Sequence, residues 1–86
     1  MDVKWDQKTK EHFDQIITNL PQFHRSIAEQ LVKESAESLA RERNSQSVQE
    51  NDLVIAFFNE VPPAFKDMMK RLFNQQGIDY TKYVKE

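Results

Sequence analysis

The sequence predicts an all-α fold, a small bundle of four helices followed by a short C-terminal helical turn. Three observations predict it. Apolar residues recur at i, i+3, i+4 and i+7 in successive segments, the mark of helices with one buried face. Helix-starting and helix-stopping residues bracket those segments. The backbone-breaking residues, Pro21, Pro62, Pro63 and the single glycine Gly77, fall between the segments.

The first helix starts after Asp6, a good N-cap, and Phe13, Ile16, Ile17 and Leu20 supply its buried face. Pro21 ends it, because the residue before a proline disfavours the helical region. Pro21 also suits the first turn of the second helix, where its missing N–H has no helical partner. That helix runs from Pro21 or Gln22 to Arg43, with Phe23, Ile27, Ala28, Leu31, Val32, Ser35, Leu39 and Ala40 as one stripe. Arg41 and Arg43 suit its C-terminal dipole, and Asn44 suits the left-handed stop.

The third helix starts near Glu50. Val48 and Leu53 are spaced for a hydrophobic staple, and Asp52 stands where a capping-box acid belongs, although Gln49 is a weak cap. Leu53, Val54, Ala56, Phe57 and Phe58 make this the most buried helix. The fourth helix opens at the double proline, with Phe65, Met68, Met69, Leu72 and Phe73 on its inner face. Gly77 is its stop, and Ile78 packs back on Phe73 in a Schellman ending. One further turn follows Asp79, docked through Tyr80, Tyr83 and Val84.

A chain of 86 residues is one domain, 1–86, with a thin core. Hydrophobic residues make up 38% and charged residues 30%, yet one tryptophan, two tyrosines and six phenylalanines with regular spacing argue against disorder. The chain has no cysteine, so it supplies neither a disulfide nor a thiolate metal site. Its net charge of −2 opposes non-specific DNA wrapping, which is driven by neutralising phosphates. No apolar run is long enough to span a membrane, and no signal peptide is visible, so a cytoplasmic location is expected.

Residues that could carry chemistry are few. His12 and His24 lie on different helices, without the spacing of a zinc-helix motif, and no metal or cofactor is expected. The serines lie in no nucleophile elbow, and there is no glycine-rich phosphate loop. Many of the fourteen acids read as solvated helix faces with i,i+4 partners such as Glu29–Lys33 and Glu37–Arg41. An isolated catalytic activity is therefore not expected. Trp5 reads as a lid on the core, and Met68 and Met69 as core. Arg25 lies one turn into the second helix, where the dipole disfavours a cation; pairing with Glu29 or solvation is the preferred reading over a grip on a partner's carboxylate or phosphate.

Two Pro-x-Phe corners, Pro21-Gln22-Phe23 and Pro63-Ala64-Phe65, each end one helix and open the next, and each is followed by His24 and Arg25 or by Lys66. Phe23 is expected to plug its corner into the core. Trp5, Pro21, Phe23, Arg25, Ala40, Arg41 and Val48, over about Trp5 to Phe57, resemble the small C-terminal helical domain of the light-independent protochlorophyllide reductase B subunit. The remainder, 58–86, is an extension resembling the ends of small bacterial proteins that carry the same first half. The resemblance implies kinship of fold. It does not imply the reductase reaction, which needs iron–sulfur centres that a cysteine-free chain cannot ligate. Gln49 also stands where that domain has threonine.

The expected function is thus a non-catalytic accessory or protein-interaction domain, with Trp5, His24, Arg25, Lys66 and Arg71 as partner contacts. Its partner would be another protein subunit or a second copy. A histone-fold-like DNA-binding protein is the first alternative, disfavoured by charge. A tetrapyrrole-binding or degenerate reductase-associated subunit, with Trp5, Phe23 and the tyrosines lining an apolar slot, is the second.

Overall fold

The computed structural model describes residues 3–84. Four helices form the body: α1 Gln7–Thr18, α2 Gln22–Glu42, α3 Glu50–Glu60 and α4 Lys66–Gln75. A 3-10 turn at Pro63–Phe65 leads into α4, and another at Tyr80–Lys82 closes the chain. The fold is mostly all-α, as the apolar spacing predicts. Lys85 and Glu86, the end of the expected 58–86 extension, lie outside the described residues.

The helix ends follow their capping chemistry. Asp6 accepts the Thr9 backbone N–H at 3.1 Å and its hydroxyl at 3.1 Å, which seats Thr9 in the interior. α2 ends on Asn44 at φ 59°, with Asn44 N–H donating to Arg41 O at 3.0 Å and Ser45 N–H to Ala40 O at 2.8 Å. α4 ends the same way on Gly77 at φ 75°, with Gly77 N–H to Asn74 O at 3.1 Å and Ile78 N–H to Phe73 O at 2.9 Å. Both are Schellman endings, and Ile78 is buried as that motif requires.

One element has no counterpart in the helical reading. Lys4–Trp5 (β1) and Ser47–Val48 (β2) form a two-residue parallel pair, in the register Lys4 opposite Ser47 and Trp5 opposite Val48. Each strand lies just ahead of a helix cap, so the pair holds the starts of α1 and α3 side by side. Strands of two residues are too short to show an alternating pattern.

A run of aromatic rings fills the core. Trp5 lies 5.0 Å from Phe13, Phe13 6.0 Å from Phe57, and Phe57 5.7 Å from Phe73 in an edge-on contact. Phe58 then stacks on Phe73 at 5.9 Å and meets Tyr80 at 5.7 Å. Each such pair adds about 0.5–1.5 kcal/mol beyond its buried area. The row therefore ties the N-terminal strand to the C-terminal turn. Val48 and Leu53, the expected staple, are both fully buried.

An ion pair whose carboxylate is buried joins the C-cap of α2 to α3. Arg43 Nε donates to Asp52 Oδ1 at 2.9 Å and Nη2 to Oδ2 at 2.6 Å. Asp52 is 1% exposed and also accepts the Gln49 N–H at 3.0 Å, the acid half of the anticipated capping box. The hydrogen bonding that it donates to Asp52 holds the Arg43 guanidinium above its ordinary pKa. Arg43 thus serves more than the helix dipole.

Candidate partner-binding face

α2 carries two apolar rows, each at i+4 spacing. Ala28, Val32, Ala36 and Ala40 are all buried, and Val32, Ala36 and Ala40 are wholly inaccessible. Phe23, Ile27 and Leu31 face solvent at 77%, 53% and 40% exposure. The single stripe expected from the sequence is therefore two faces, and Phe23 does not plug its corner into the core. The physical reason is size. Alanines let α2 approach α3 closely, and a row of larger side chains cannot occupy the same seam.

From Leu31 the exposed row runs into a shallow groove of about 410 Å³ between α2 and the last turn of α3. Leu31 and Leu39 give it apolar walls, Glu34, Glu42 and Glu60 give it carboxylates, and no basic residue among the described residues lines it. Among the described residues none of these three glutamates forms an ion pair.

The corner itself is built by structural ties. Pro21 caps α2, and His24 N–H donates to Pro21 O at 2.9 Å. Arg25 Nε donates to Leu20 O at 3.0 Å, which satisfies a carbonyl left over where α1 has ended. Its partner is thus a carbonyl, neither the Glu29 carboxylate nor bulk water alone. The His24 ring packs 5.3 Å from Phe65, so the two Pro-x-Phe corners meet in space. Phe65 is half-buried there, while Phe23 lies 6.3 Å from His24 on the outside.

Trp5 lies on another flank. Its ring covers Phe13, and Nε1–H donates to Glu37 Oε2 at 2.9 Å. A cleft of about 420 Å³ opens beside it, with Lys10, Lys33, Glu29 and Glu37 around the two rings. Lys10 sits 5.3 Å above the Phe13 ring and pairs with Asp14 at 2.7 Å. Trp5 is the lid the sequence suggests, fixed by a hydrogen bond the sequence does not show. Lys66 is half-buried at the start of α4, and Arg71 is exposed further along it. The five expected contact residues therefore do not form one site: Trp5 stands apart from the corner residues His24 and Arg25, and Arg71 stands along α4.

His12 Nδ1 lies 3.0 Å from Gln76 Oε1, and Gln76 Nε2 donates to Gln15 at 2.9 Å, so that histidine ties α1 to the end of α4. Among the described residues no group of three or more His, Asp or Glu is placed to hold a metal ion. No described helix is long and apolar enough to cross a membrane. The Tyr83 hydroxyl donates to Glu50 Oε2 at 2.7 Å, and that bond together with burial pushes its pKa up to about 12. Asp79 accepts the Thr81 hydroxyl and its N–H, the first of which does most to hold the carboxyl below its ordinary range.

The residues that sequence reasoning assigned wrongly are Phe23, Ile27 and Leu31. A signal was present: Ala28, Ala36 and Ala40 mark a narrow seam, and the larger row lies one residue off it.

No curated protein and no solved structure matches the chain. A family model described as "Protein of unknown function (DUF2621)" matches residues 1–86. That match overturns the resemblance to the protochlorophyllide reductase B subunit, to which nothing in the comparisons connects this sequence. The Trp5, Pro-x-Phe-x-Arg and Ala40-Arg41 positions that carried it are the lid, the corner and the α2 end described above. The chain belongs to the family of proteins of unknown function DUF2621.

Proposed function

We propose that this domain is a protein-interaction module that binds a partner through the outer face of α2 and carries no reaction of its own. The observation that carries the reading is the row Phe23, Ile27 and Leu31, exposed on a helix whose other apolar row already fills the core. Large apolar side chains held together on a regular element lose water contact only when something covers them, and such patches mark interaction sites. Helices with a second apolar row are recognised at i, i+4 and i+8 positions by grooves or other helices.

His24, beside Phe23, borders this face, and Arg25 fixes the corner from which it starts. Trp5 and Arg71 lie outside it and are proposed at most as secondary contacts.

The test uses a double variant, Phe23→Ser with Ile27→Ser, whose circular dichroism and melting are first matched to wild type. Both are immobilised and exposed to the source lysate, and each captured protein is then purified and titrated against both. The reading expects a partner that binds wild type and loses at least tenfold affinity for the variant. Partners that bind both equally, at every step, contradict it.

A further inference from the structure

We infer that the partner of the α2 face is a cationic amphipathic helix, seated along Phe23, Ile27 and Leu31 with its basic residues over the groove that Glu34, Glu42 and Glu60 border. This rests on the reading that the α2 face binds a protein, and it names the chemistry of that protein. The face is apolar where it begins and acidic where it ends. Leu31 belongs to both parts, so one ligand lying along α2 meets them in succession.

The charge of the groove is one-sided. Among the described residues three glutamates and no basic residue line it, and none of the three is paired. Two of the three also stand where a carboxylate is disfavoured. Glu42 ends α2 and Glu60 ends α3, and at a helix C-terminus the exposed carbonyls repel negative charge. The negative ends of two helices and three carboxylates therefore converge on one apolar-walled channel. A lysine or arginine of a partner would relieve that repulsion, and its methylene stem would lie along Leu31 and Leu39.

Other occupants fit less well. An anionic membrane surface would be repelled by the same carboxylates. A second copy offers Arg71 on α4, but the apolar residues Met69, Leu72 and Phe73 of that helix are buried, and its own α2 row is bordered by the same glutamates instead of by lysine or arginine. Basic targets with apolar anchors at i, i+4 and i+8 supply both halves of the match.

The probe is a labelled helical peptide of about 20 residues, enough to follow roughly 30 Å of α2. It has leucines on one face and lysines on the other. A second peptide keeps the leucines and replaces every lysine by glutamate. A third keeps the lysines and replaces the leucines by serine. Fluorescence anisotropy is read for wild type, for Phe23→Ser with Ile27→Ser, and for a triple variant Glu34→Gln, Glu42→Gln and Glu60→Gln.

The proposal expects the first peptide to bind wild type and the other two not to. The triple variant should weaken binding about tenfold, and raising the salt concentration should weaken wild type toward the triple variant. Equal binding of the lysine and glutamate peptides, or no change in the triple variant, overturns the cationic partner while leaving an apolar binding face in place. Loss of binding in neither variant, with no peptide preference, overturns both readings. Sedimentation of the protein alone gives a further check: a dimer that Leu31→Ser abolishes would assign the face to a second copy and overturn the proposal, whereas a monomer at the titration concentrations supports it.

Discussion

The two apolar rows of α2 share one helix and one spacing, yet one lies in the core and the other in water. Ala28, Val32, Ala36 and Ala40 pack against the neighbouring helices, and Phe23, Ile27 and Leu31 do not. On a hydrophobicity scale the second row is the better candidate for burial, since it has far more apolar surface to remove from water. Fit decides otherwise. The core already holds Phe13, Phe57 and Phe73, and a close helix seam beside those rings has room for methyl groups and one valine. Burial in this helical domain thus follows the volume left by the largest side chains, and apolar residues in excess of that volume stay in solvent.

A buried charge separates the two rows most sharply. Val32→Asp places a carboxylate at a wholly inaccessible position with no partner, and should cost about 4 kcal/mol or more, enough to unfold a small domain. The same change at Ile27 should leave a cooperative, folded protein. Thermal melts of the two variants read the difference directly.

The tie between α2 and α3 comes next. Arg43→Ala leaves the Asp52 carboxylate inside the fold with only the Gln49 N–H, and should cost about 1.5–3 kcal/mol in urea denaturation. Arg43→Lys should recover only part of this, because an ammonium cannot fill both carboxylate oxygens as the guanidinium fork does. If the lysine variant equals wild type, the two-bond geometry contributes nothing and the α2–α3 seam is held by packing alone.

The C-terminal turn is a weaker attachment. Tyr83→Phe removes one hydrogen bond to Glu50 and should cost about 0.5–1.5 kcal/mol. The fold favours the protonated phenol, so this stability is fully present below the ordinary tyrosine pKa of about 10. It is lost as pH rises toward the folded value of about 12. Denaturation between those limits should show a falling slope in wild type that the phenylalanine variant lacks.

The smallest effect belongs to the exposed row. Phe23→Ser should change stability by about 0.5 kcal/mol or less, since little of the ring is covered. A loss comparable to that of a core phenylalanine would place Phe23 back in the corner.

Much of the fold is legible in the sequence because local chemistry specifies it. Asp6, Asn44 and Gly77 announce the helix ends through their own backbone preferences, and the prolines announce the corners. The β1–β2 pair and the Arg43–Asp52 bridge are not legible, because both depend on segments that meet only after the helices have packed. The α2 face fell between these cases. Its two rows are visible as spacing, but which row faces inward depends on the rings contributed by α1, α3 and α4.

Thiol accessibility tests the division of α2 most directly, because the chain has no cysteine of its own. Single variants Ile27→Cys and Val32→Cys are treated with a thiol reagent under native conditions. Ile27→Cys should react at nearly the rate of a free thiol, and Val32→Cys only through unfolding, slower by orders of magnitude. Equal protection of the two cysteines in the monomer would contradict it.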